Sequence, residues 1–283
     1  MCKTGEPIES RLVSCQSRIY QNTRSDPRAL FMLKSADIIK MQITPKLQKL
    51  TDDIRLESAD HRPLVFGDEE EFKIIMRKTF PAEANACFIP SADRFFIFLK
   101  RIDNIEASEE NAIAHELGHL WLLLRGLPPE KMTTDNVKQI AWDTFFSPLR
   151  EIMEHAVYYP LLKSKYNIDL YQIGNERLVD FIKNQLPNLK KTTAEEKTLL
   201  ILNYIKYVVE SDGIYWLERL QNAYSRNKTD AKNIAENMLP IIKRIAGIID
   251  SQLFVRQYCQ AVEIIDKQFG IPVSLWPVFC KSK

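Results

Sequence analysis

Four histidines occur in the 283 residues, and two of them stand in His115-Glu116-Leu117-Gly118-His119. Four residues apart on a helix, His115 and His119 share one face, where both imidazoles can reach a single metal ion. Glu116 follows the first of them, where its carboxylate can meet a water activated by that ion and act as its general base. The spacing therefore predicts a zinc-dependent hydrolase, most often a metallopeptidase.

Two histidines do not complete a catalytic zinc site, which needs a third protein ligand and one position left for water. The continuation His-x-x-Gly-x-x-His is absent, because Leu122 and Arg125 stand where glycine and histidine would be. The third ligand must come from elsewhere. In Glu151-Ile152-Met153-Glu154-His155 the spacings i, i+3 and i+4 put Glu151, Glu154 and His155 on one helical face with Tyr158. All three are candidate ligands. Tyr158 and His155 are also candidate donors to an oxyanion.

The elements that must position these groups are legible as patterns. Ser108 is a plausible N-cap, followed by Glu109 and Glu110 where a helix dipole favours carboxylates. Ile113, Leu117, Leu120 and Leu124 form a core-facing stripe almost opposite the two histidines. Gly126, Pro128 and Pro129 end that helix. A helix near 133–144 follows, and Ser147-Pro148 reads as a new N-cap with proline at the first helical position. Upstream, Asp68 to Phe80 reads as a helix with an acidic start. A helical pattern over 27–56 is one that Pro45 should break. Two strands are expected at 85–90 and 94–100, the second a buried strand or one that pairs with an extended substrate. From 170 onward the chain reads as helices over about 170–186, 193–210, 213–225, 229–248 and 251–269, with a Thr193/Glu196 capping box. The tail from Pro272, with Trp276 and Phe279, should pack back onto them.

This order of strand, acidic helix start, HELGH and a following Glu-x-x-x element resembles the small gluzincin-type zinc peptidases, including the minigluzincins and the ImmA/IrrE-like group. The resemblance covers roughly residues 65–163. It implies a zincin-like core in which Glu151 is the third ligand, ahead of Glu154 and His155. His155 then occupies the position that normally orients a zinc-bound histidine. It also implies a peptide or protein substrate, in the ImmA/IrrE-like enzymes a specific regulator. The competing reading is a regulatory or binding protein with a vestigial or structural zinc site. The expected fold is α+β and predominantly helical: an N-terminal lead and helical segment over 1–64, a zincin-like core with a short sheet over 65–165, and an all-helical extension over 166–283.

Composition narrows the class. A net charge of +2, without a basic stripe or interleaved aromatics, points away from nucleic acid, and no run approaches the ~18 apolar residues of a membrane span. Five dispersed cysteines (Cys2, Cys15, Cys87, Cys259, Cys280) without a CxxC pair predict free thiols in a reducing cytosol.

Overall fold

The computed structural model describes residues 43–281 except 59, 78, 82–84, 101–106, 129–139 and 190–192. Within them lies a mostly helical α+β structure with one three-stranded sheet. The expected helical stretch over 27–42, the helix near 133–139, Cys2 and Cys15 lie outside the described residues.

The first described helix, α1 (Pro45–Leu56), begins at the proline expected to break it. Proline suits the first helical turn, whose N–H groups have no intrahelical partner, and Thr44 caps the helix by accepting from the Leu47 N–H. Strand β1 (Leu64–Gly67) comes next, then α2 (Glu69–Met76). Asp68 and Glu71 form a reciprocal capping box at the start of α2, and Arg77 ends it in the left-handed conformation.

Strands β2 (Ala86–Pro90) and β3 (Phe95–Leu99) pair antiparallel around the expected turn, while β1 runs parallel to β3. The sheet order β1-β3-β2 makes β3 the central strand and β2 an edge. Alternation assigns the faces. Ala86, Phe88, Phe95, Ile97 and Leu99 belong to the main core, whereas Cys87, Ile89, Phe96 and Phe98 form a smaller core with Phe72 and Met76 of α2. With both its edges paired, β3 has no free backbone to offer a substrate. The sheet's two edges belong to β1 and β2.

Helix α3 (Ala107–Leu124) carries the His-Glu-x-x-His residues. It is already helical at Ser108, so that residue is not the N-cap. Ile113, Leu117 and Leu120 are buried as the stripe predicts, but Glu116 and His119 on the other side are buried too. The helix is wrapped by protein on both sides. At its end Gly126 takes φ +83°, and Trp121 and Arg125 donate to Glu57 of α1's C-cap.

Helix α4 (Ser147–Tyr166) is not a fresh start at Ser147. It continues a wider π-helical turn over Trp142–Phe146, in which the Ser147 N–H donates to the Trp142 carbonyl. The wider turn alters the carbonyl pairing just where Pro148 lacks an N–H, so the chain passes through the proline without a break. The helix also passes through Pro160.

The C-terminal half follows the expected order: α5 (Tyr171–Asp180), α6 (Ala194–Glu210), α7 (Ile214–Asn227), α8 (Thr229–Lys243) and α9 (Ser251–Phe269). The Thr193/Glu196 capping box is present, whereas α8 stops five residues short of 248. One continuous apolar core runs from Leu47 of α1 to Cys280 beyond α9, so the site helices and the C-terminal helices share their packing. No described helix is long and apolar enough to cross a membrane.

The free-thiol expectation fails for two cysteines. Cys259 of α9 and Cys280 form a disulfide with their Cα atoms 5.3 Å apart, while Cys87 is buried in the smaller core. The pair escapes any local motif because Gly270, in a left-handed cap, turns the tail back along α9. Phe279 then lies 5.6 Å from the Tyr258 ring, as the tail's aromatics suggested. Closing a loop across a sequence separation of 21 restricts the unfolded chain enough to stabilise the fold by about 3 kcal/mol. Cys280→Ser should therefore lower the unfolding free energy by ~2–4 kcal/mol in a urea titration. A peptide map of the unreduced protein in which Cys259 and Cys280 run separately would refute the pairing.

Candidate metal centre

The site is built where α3 crosses α4. Close approach is possible because position 118 is glycine: a Cβ there would fall 2.5–2.7 Å from three carbons of the Tyr158 ring. Tyr158 is fully buried against the α3 backbone. Its hydroxyl lies 3.2 Å from both His115 Nδ1 and His119 Nε2, and the Tyr159 hydroxyl lies 3.4 Å from His115 Nδ1.

Three imidazoles meet at this crossing. The ligand atoms offered by His115, His119 and His155 all lie within 4.8 Å of one another, so the three can hold a metal ion. His115 Nε2 and His119 Nε2 are 3.2 Å apart. Two nitrogens bound ~2.0–2.1 Å from one tetrahedral zinc ion stand about 3.3 Å apart, so this spacing fits such an ion.

The Nδ1 atoms are held from outside. That of His119 lies 2.6 Å from the Glu154 carboxylate, whose other oxygen accepts from Arg150 Nε at 2.7 Å. That of His155 lies 2.6 Å from Glu210 Oε1, and His115 has the tyrosine hydroxyls. Held on Nδ1, each ring can turn Nε2 toward a ligand, with the Tyr158 hydroxyl already beside that of His119. His155 Nε2 is buried with no hydrogen-bond partner, which is an unfavourable state for a ring nitrogen unless something else fills the space beside it.

Charge in the site follows burial and these contacts. Burial, with His155 and His119 close by, pushes the His115 pKa well below the ordinary histidine value, which favours the neutral ring a metal needs. At His119 burial acts the same way, but the Glu154 hydrogen bond and charge outweigh it and the net shift is upward. Burial would raise the Glu154 carboxyl, yet Arg150 and His119 hold it down at about 2. Glu154 is thus an anion anchored by two cationic or proton-donating partners. Burial raises Glu116 to about 7, against the pull of His119 and of the Phe88 N–H. That amide, on the outer side of β2, donates to Glu116 Oε2 at 2.9 Å.

The sequence-predicted residues divide as follows. His115, Glu116 and His119 come together as the spacing predicts, and His155 joins the two histidines. Glu154 grips His119, and Tyr158 lies between His115 and His119. Glu151 is half-buried, one turn before His155, and near enough for its charge to act on Glu116 and His119, but it is outside the converging set. Sequence reasoning missed Arg150 and Glu210. A signal for Glu210 does exist: it extends the buried face of α6 through Leu200, Asn203, Tyr204 and Tyr207, where an acidic residue is out of place unless paired.

Comparison with protein-family models, with curated proteins and with solved structures finds no match to this chain.

Proposed function

We propose that this chain is a zinc-dependent hydrolase acting on peptide bonds, with a zincin-like core formed by α3, α4 and the sheet. Three converging imidazoles beside a buried carboxyl that titrates near neutrality carry this reading. His115, His119 and His155 would hold the ion, with Glu151 as the alternative third ligand that the gluzincin resemblance favours. The ion would supply Lewis acidity toward a substrate carbonyl and toward water. Glu116, poised at about 7, can accept a proton from water and return it to the departing amine. Glu154 and Arg150 fix the His119 ring, and the Tyr158 hydroxyl is the donor nearest the histidines for an oxyanion. The substrate we propose is a peptide or protein segment. The Cys259–Cys280 bond favours an oxidising compartment over the cytosol.

A second reading, a binding or regulatory protein with a structural metal, draws on one observation: Glu116 is already engaged by the Phe88 amide. Metal analysis and a peptide-library assay separate the two. The enzyme reading expects about one zinc per chain, and cleavage that stops on chelation and returns with added zinc. His155→Ala should lose the zinc, while Glu151→Ala should keep it. Zinc bound without cleavage would favour the structural reading, and no zinc after reconstitution would end both.

A further inference from the structure

We infer that Glu210, at the C-terminal end of α6, is the positioning residue that makes His155 the third metal ligand. This inference rests on the proposed metal site and deepens it. Two imidazole–carboxylate pairs flank the crossing. In one, Glu154 holds His119 from the same helix that carries His155. In the other, Glu210 reaches in from α6, 55 residues beyond His155.

The second pair is the more completely enclosed. Both the His155 and Glu210 side chains are 2% exposed, and the 2.6 Å contact is between Nδ1 and Oε1. A carboxylate at Nδ1 selects the tautomer with its proton on that nitrogen, so the lone pair of the ring lies on Nε2. That nitrogen is buried and has no hydrogen-bond partner. An acceptor aimed at two other imidazoles, with no donor supplied, is the arrangement a cation resolves.

Glu210 is itself placed by backbone packing. Gly174 of α5 lies so close to α6 that a Cβ there would fall 1.7 Å from the Glu210 carbonyl oxygen. Helix α5 therefore closes directly on the last turn of α6 and fixes where the carboxylate emerges. Lys206 Nζ lies 4.0 Å from Oε1, one turn back on the same helix. By this route the C-terminal helices determine the ligand set of a site whose histidines all lie on α3 and α4.

The test uses the full-length protein with zinc as the probe. Zinc affinity would be measured by chelator competition for the wild type, Glu210→Gln and Glu151→Gln, with melting of each metal-free protein as the control for folding. Loss of an orienting carboxylate should weaken zinc binding by about 10–100-fold in Glu210→Gln while Glu151→Gln binds as the wild type does. Wild-type affinity in Glu210→Gln, with the loss instead in Glu151→Gln, would overturn the assignment and leave the metal site standing. A wild type that binds no zinc would overturn the metal reading itself, and this inference with it. If Glu210→Gln does not fold, nitrogen-15 spectra of the wild-type histidines decide. His155 should carry its proton on Nδ1, and its Nε2 resonance should move on adding zinc. A His155 Nε2 resonance unmoved by one equivalent of zinc would refute the inference.

Discussion

Glu116→Gln should abolish most hydrolysis while leaving the metal in place. Removing a positioned general base typically costs about 10²–10⁴-fold in turnover, and none of the three converging histidines is altered. The amide side chain keeps an oxygen able to accept from the Phe88 N–H, so β2 and α3 should stay joined as they are. Stability of the metal-free proteins gives a second readout. The Glu116 carboxyl is raised in the fold from 4.5 to about 7, so folding favours its protonated form. The stability this provides is complete below pH 4.5 and lost as pH rises through about 7. Over that window wild type should lose on the order of 3 kcal/mol that Glu116→Gln does not lose. Urea titrations at both ends of the range measure it. A zinc-loaded Gln variant with undiminished turnover would remove Glu116 from the mechanism.

Gly118→Ala should damage both the fold and the site. In an ordinary helix this substitution stabilises by about 1 kcal/mol, because alanine loses less backbone freedom. Here the added methyl meets the ring of Tyr158 at 2.5–2.7 Å, and that ring is rigid and fully buried. Overpacking of this kind costs ~1–3 kcal/mol, and contacts under 3 Å with a fully buried ring belong at the upper end. The expected outcome is a net loss of about 1–2 kcal/mol, together with weaker metal binding as the Tyr158 hydroxyl is displaced from His115. Repeating the substitution in a Tyr158→Ala background isolates the cause. There Gly118→Ala should be neutral or stabilising, and an equal loss in both backgrounds would show that the ring is not responsible.

These outcomes mark which features the sequence makes legible. Helical period alone places His115 and His119 together, and the Asp68/Glu71 and Thr193/Glu196 pairs announce their helix starts because both partners lie within one turn. Features that depend on distant packing are harder. Strand β1 has four residues and no alternating exposure, so nothing local distinguishes it from a loop. Ser147-Pro148 carries a sound start signal that the preceding π-helical turn overrides. By motif His155 stands behind Glu151 and Glu154 on its own helix, because what distinguishes it is a carboxylate on α6. The resemblance to gluzincins favoured Glu151 from a motif, whereas the geometry brings in His155 through a contact no motif spans. The disulfide is illegible in the sequence for the same reason, since Cys259 and Cys280 meet only after the tail reverses.

The contact between Glu116 and Phe88 also bears on how the molecule behaves at high concentration. Strand β2 is an outer strand, and a bare backbone edge invites pairing with the same edge of another molecule. Helix α3 packs against that strand, and the Glu116 carboxylate occupies the outward amide of Phe88, while Pro90 closes the strand with a residue that has no N–H to give. The carboxylate is thus a guard against self-association as well as the base we propose. Anything that draws it away from Phe88 leaves that amide open to the next extended chain, whether a peptide or a neighbouring copy of the protein.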